Sequence, residues 1–154
     1  MKFKKLTDNK SFEVSEYVKE YLDENKEYSI KIYLGCDSQN RGNFTTYATT
    51  LVFHIEESGC HVIYMKEKLP IINDMWTRLW GEAERSIKTA LYLRENGVEI
   101  NTIDLDYNID PMQKSNKLVA AAVGYVESLG FKARVKPDLL PAVYAADDIA
   151  HKQG

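Results

Sequence analysis

Four stretches of this 154-residue chain carry carboxylates in settings that a solvated surface explains poorly. Asp37 closes the apolar run that begins at Tyr28 and ends Gly35-Cys36-Asp37-Ser38, although an Asp in that place also starts turns. Asp104 and Asp106 flank Leu105 at the end of a second strand-like run, and period-two alternation sends both to one face. Two such carboxylates repel each other and lose hydration unless a cation, or water at the strand tip, relieves them. Glu82 and Glu84 sit on the two shoulders of a helical stretch, and one of the pair is an ordinary solvated residue. Asp147-Asp148 falls inside a last helical stretch, where Asp is a poor helix former, unless that terminal helix is frayed and exposed. Brought together, Asp37, Glu82, Asp106 and Asp147 form an all-oxygen donor set with no cysteine or histidine at ligand spacing. Such a set favours the hard cations Mg²⁺ or Mn²⁺.

The elements that must position these acids follow from periodicity. Ser11 to Asn25 predicts a helix, with Phe12, Val14, Tyr17, Val18 and Tyr21 at roughly helical spacing. Residues 1–27 therefore form a helical extension ahead of the rest. Tyr28 to Asp37, Thr45 to Ile55 and Cys60 to Leu69 read as three strands joined by short turns, an antiparallel meander. From Asn73 the pattern becomes helical, with Trp76, Leu79, Trp80, Ala83, Ile87, Ala90 and Leu91 on one face and Asn96-Gly97 as its end. Val98 to Asp106 is a strand, Asp110 to Leu129 a second long helix, Phe131 to Val135 a short strand and Pro141 to His151 a last helix. The order after the extension is βββαβαβα: an α/β domain with a five-stranded mixed sheet and helices on both faces. If the first and fourth of these strands are neighbours and parallel, their C-terminal tips bring Asp37 and Asp106 together, where ligands of open α/β sheets gather.

The bulk numbers are those of one globular domain spanning residues 1–154. Hydrophobic residues make up 44% and charged residues 28%, and no run is long and apolar enough for a membrane span. Met1 to Lys5 is basic but leads into no apolar segment, so no secretory signal is expected. Cys36 and Cys60 each lie in a strand-like run and read as buried thiols in a reducing compartment, which points to the cytoplasm. The net charge of -3 argues against tight non-specific duplex binding, which usually rests on a basic excess. Lys114, Lys117, Lys132, Arg134 and Lys136 could form a modest basic rim or merely aid solubility. Tyr33, Tyr47, Tyr107 and Trp76 could stack on bases or pack in the core.

With these residues in view the chain resembles the ribonuclease H superfamily, and more narrowly its YkuK-type bacterial family. The segments that carry the likeness are Leu34-Gly-Cys-Asp37-Ser-Gln, Arg78-Leu-Trp-Gly-Glu82-Ala, Ile103-Asp-Leu-Asp106-Tyr-Asn with Lys114-Ser-Asn116 beyond, Gly130-Phe…Lys136-Pro137 and Ala146-Asp147-Asp-Ile-Ala150. The resemblance runs over nearly the whole chain from Ile30 and implies a ribonuclease H-like fold. It implies Asp37, Glu82, Asp106 and Asp147 as catalytic metal ligands, with Glu84, Asp104, Asp148 and His151 as auxiliary candidates. Ser38, Gln39, Lys114 and Lys136 become substrate-binding candidates. The implied chemistry is two-metal hydrolysis of a phosphodiester, with ions about 3.5–4 Å apart, on RNA, an RNA–DNA hybrid or branched DNA. A basic handle or hybrid-binding module is not visible, so a non-catalytic nucleic-acid- or protein-binding module of the same fold stands as the alternative.

Overall fold

In a computed structural model of the chain, residues 1–105, 116–135 and Ile149 are described. The elements are β1 (Lys2–Lys5), β2 (Ser11–Glu13), α1 (Val14–Glu24), β3 (Ile30–Arg41), β4 (Phe44–Ile55), β5 (Gly59–Pro70), α2 (Met75–Glu95), β6 (Thr102–Leu105), α3 (Asn116–Ser128) and β7 (Ala133–Val135). The strands form one mixed sheet in the order β2-β1-β5-β4-β3-β6-β7. β3, β4 and β5 are the expected antiparallel meander, and β6 and β7 continue it in parallel.

Three expectations change. The N-terminal segment is not simply a helical extension, because β1 and β2 make an antiparallel hairpin whose first strand pairs with β5. The sheet therefore has seven strands rather than five, and α1 begins only at Val14, where Glu13 caps it by accepting from the Ser15 N–H at 2.9 Å. Second, Asp37 does not end its strand. β3 runs on to Arg41, and the turn is the two residues Gly42-Asn43, with Gly42 at φ +58° as a tight hairpin needs. Third, Cys60 is exposed at the start of β5, whereas Cys36 is buried as expected.

Strand alternation sorts the sheet into two faces. One face carries Ile32, Leu34, Leu51, Phe53, Ile63, Ile103 and Leu105, which pack under α1, α2 and α3 as the main core. The other carries Tyr33, Gly35, Asp37, Ala48, Thr50, Tyr64 and Lys66 by register. On that side Ile149, in helical conformation, is buried against Ala48 with Val62 and Tyr64 around it. The three helices α1, α2 and α3 lie on the first face. Among the described residues no helix is long and apolar enough to cross a membrane.

Candidate metal centre

β6 lies beside β3 and parallel to it, with Tyr33 opposite Thr102, Leu34 opposite Ile103 and Gly35 opposite Asp104. The strand adjacency that the converging acids require is therefore present. Asp37 is the eighth residue of β3, two places past Gly35, and only 7% exposed. Asp106 and Asp147, the other strand and helix acids, lie outside the described residues, as do Asp148, His151, Lys114, Lys136 and Tyr107.

α2 decides between its two glutamates. Asp74 caps the helix, accepting from the Thr77 N–H at 2.9 Å, and the phase that follows turns Gly81, Glu82, Ala83, Ser86 and Thr89 toward the sheet. Glu82 is 4% exposed, whereas Glu84 faces solvent. The Ser38 hydroxyl donates to Glu82 Oε2 at 2.5 Å, and Arg78 Nη1 donates to the same hydroxyl at 3.1 Å and to the Ser38 carbonyl at 3.2 Å. Glu82 also bears on its neighbours' titration. Burial, and then the Glu82 charge, push the Cys36 thiol well up. Burial pushes the Tyr47 hydroxyl up to about 12, with Glu82 adding to the rise and Arg85 opposing it.

Gly81 makes this close approach of α2 possible. Tyr47 sends its hydroxyl to the Arg78 carbonyl at 2.9 Å, and a Cβ at position 81 would collide with that hydroxyl. Arg85 lies over the Tyr47 ring at 3.6 Å and pairs with Glu67 at 2.7 Å. Tyr47 is thus a core residue, while Trp76 is exposed and Tyr33 half-buried.

Consecutive strand residues point to opposite faces, so Ser38 meeting α2 means that Asp37 faces the other side, that of Ala48 and Lys66. The structure joins Glu82 to Ser38 and puts Asp37 on the face of Gln39 and Asp104. Among the described residues no group of three or more acids, histidines or cysteines is placed to hold a metal ion. Two buried carboxylates on either side of one strand, Asp37 and Glu82, are the part of the four-acid set that is described. They suit hard-cation chemistry in donor type.

Asp104 is buried rather than exposed at a strand tip, and the cation that balances its charge is an arginine side chain. Arg134 donates from Nε to Oδ1 at 3.0 Å and from Nη2 to Oδ2 at 3.3 Å, while the Thr102 hydroxyl donates to Oδ1 at 3.3 Å. The guanidinium also covers the Tyr33 ring at 4.4 Å. Arg134 is therefore committed to Asp104 rather than standing free in a basic rim. Sequence reasoning missed the role of Arg78, and it placed Arg134 in a basic rim without its pairing to Asp104. Arg78 had a readable signal, its i, i+4 spacing to Glu82; the Arg134–Asp104 pair depends on the β6–β7 register.

A family model described as ribonuclease H-like matches residues 13–152. No curated protein and no solved structure matches the chain. Within the matched residues the strands are ordered β5-β4-β3-β6-β7, with β6 and β7 running parallel to β3. The chain belongs to the ribonuclease H-like family.

Proposed function

We propose that this protein is a divalent-metal-dependent nuclease that hydrolyses phosphodiester bonds of RNA, an RNA–DNA hybrid or structured DNA, a cytoplasmic member of the YkuK-type branch of its family. The observation that carries the reading is the parallel pairing of β3 and β6 with Gly35 opposite Asp104. The same register continued for two residues would bring Asp106 opposite Asp37, on one face and about 5 Å apart in backbone terms. Asp37, Glu82, Asp106 and Asp147 would hold Mg²⁺ or Mn²⁺, which when bound lowers the pKa of water and neutralises charge on the phosphoryl oxygens. Asp37 would supply its carboxylate from a continuous strand paired throughout with β4, which fixes its direction. Ser38 and Arg78 would act as positioning residues for Glu82, holding its carboxylate in place. Gln39, on the face of Asp37, is the substrate-facing candidate of that segment, whereas the Ser38 hydroxyl is spent inside the protein.

The test is cleavage of labelled single-stranded, duplex, hybrid and branched substrates with Mg²⁺ or Mn²⁺. Asp37→Asn and Asp106→Asn should each abolish the activity while the melting temperature stays at or above that of the wild type. Cutting by these variants at the wild-type rate would refute the assignment.

One observation favours a second reading, a non-catalytic nucleic-acid-binding module. Glu82 is hydrogen-bonded to Ser38 on the face opposite Asp37, so the two acids do not share a side of the sheet. Mn²⁺ titration separates the readings: an acidic cluster shaped for metal is stabilised on binding, by about 2.7 kcal/mol at a hundredfold excess over Kd. A melting curve indifferent to Mn²⁺ would select the binding module.

A further inference from the structure

The row of residues that crosses the sheet from Asp37 carries a contact from the far end of the chain. Asp37 on β3 pairs with Ala48 on β4, and Ala48 pairs with Lys66 on β5, so the three share one face. Ile149 sits on the middle of this row. It is 6% exposed and packs against Ala48, with Val62 and Tyr64 beside it, and its carbonyl accepts from Lys66 Nζ at 3.0 Å. Two strands therefore hold one residue, β4 through an apolar contact and β5 through a hydrogen bond from a charged donor. Ala48 suits this use. It is the only alanine of β4, in a strand otherwise rich in Thr, Val, Ile and aromatic residues, and alanine is disfavoured in strands. Ala48 is fully buried, so a larger side chain there would take up the space that Ile149 fills.

Covalent geometry turns this contact into a constraint on the site. Asp147 lies outside the described residues, but two residues span at most about 7 Å of backbone, so it stays within that reach of Ile149. Ile149 in turn rests on Ala48, one strand spacing of about 4.8 Å from Asp37. A ligand carried on a fixed backbone loses less freedom when it takes an ion than one that swings free. We infer that Ala48 and Lys66 form a seat for the Ile149 segment, and that Lys66 is thereby a positioning residue for a metal ligand at Asp147. The seat stands on the contacts alone, while its use for metal rests on the nuclease reading. Electrostatics by itself predicts the opposite sign for Lys66. A positive charge beside an acidic site repels the ion, so its removal would tighten metal binding, whereas loss of a positioning contact weakens it.

The experiment uses the full chain and two readouts. Hydrogen exchange of peptides spanning Ile149 is followed by mass spectrometry in metal-free protein, and Mn²⁺ affinity is measured from the electron paramagnetic resonance of the free ion. Lys66→Met keeps the aliphatic stem and removes the donor. It should speed exchange about tenfold, as loss of a hydrogen bond from a charged donor does, and weaken Mn²⁺ binding roughly tenfold, as loss of a supporting contact does at metal sites. Ala48→Leu crowds the seat from the other strand and should move both readouts the same way, also if Lys66→Met fails to fold. Lys66→Arg still donates and should restore both. Lys68→Met removes the same charge two residues along the same face, where Lys68 covers the Phe44 ring at 4.2 Å, and serves as the control. Wild-type exchange in Lys66→Met and Ala48→Leu would overturn the inference. So would unchanged or tighter Mn²⁺ binding in Lys66→Met, or a loss matched by Lys68→Met. Failure of the nuclease reading looks different: the wild type would take up no Mn²⁺, while exchange would still separate Lys66→Met and Ala48→Leu from Lys66→Arg.

Discussion

On the helix-covered face Glu82 accepts from a neutral hydroxyl, Ser38, to which Arg78 also donates. On the opposite face Asp104 is gripped directly by both arms of Arg134. Both carboxylates are buried, at 4% and 1% exposure, but they are not equally able to change partners. A bidentate guanidinium pair is the stronger and more directional bond, and breaking it leaves a buried charge uncompensated. A carboxylate held by a hydroxyl exchanges that partner at smaller cost. The difference teaches that acids of equal burial can be held in unlike ways: Asp104 by a charged side chain of β7, Glu82 by a neutral hydroxyl of β3.

The largest effect is expected where the comparison is most one-sided. Arg134→Met should destabilise the fold by about 3–5 kcal/mol, since it strands the Asp104 charge in the sheet. Adding Asp104→Asn should recover much of that loss in urea unfolding. If the single variant costs under about 1 kcal/mol, the pair is not what holds β6 to β7. Ser38→Ala is expected to cost less, about 1–3 kcal/mol, by removing a donor from buried Glu82. The same variant sharpens the contrast if its melting curve responds differently to Mn²⁺ from that of the wild type.

A smaller effect concerns the far edge of the helix-covered face. There the Tyr17 hydroxyl meets His61 Nε2 at 2.6 Å, and Tyr21 stacks on the imidazole with ring centres 4.8 Å apart. Burial, then the Lys5 charge, push the His61 pKa below its usual value. A depressed histidine favours the folded state fully above the unfolded pKa near 6.5 and loses that contribution as pH falls toward the folded value. Melting temperature should therefore drop on acidification from pH 7.5 to about 5.5. His61→Phe should flatten that part of the profile, and an unchanged slope would remove His61 from the account.

Much of the fold was legible because its signals are local. The meander, the end of α2 at Asn96-Gly97 and the mixed sheet all follow from period, caps and turns that neighbouring residues set, while the cap at Asp74, one residue past the expected start at Asn73, came from the structure. The hairpin of β1 and β2 was not legible, because Lys2–Lys5 and Ser11–Glu13 are short and polar and become strands only by pairing with each other and with β5. The same limit applied to the acids. Glu82 was preferred over Glu84 through the family resemblance, and α2 does bury it. Its meeting with Ser38 rather than with the side of Asp37 was out of reach, since a strand sends adjacent residues to opposite faces and only packing decides which face a helix covers.

The order of the carboxylates along the chain, their oxygen-only chemistry and the alternating strands beneath them are properties of the residues themselves, and they determined the fold class and the kind of ion to expect. Tertiary structure alone decided that Asp104 faces an arginine, that Glu82 faces a serine and that Lys66 meets the Ile149 carbonyl. The physical reason is that register and helix placement set the neighbours of a buried charge, and those neighbours determine how it is held.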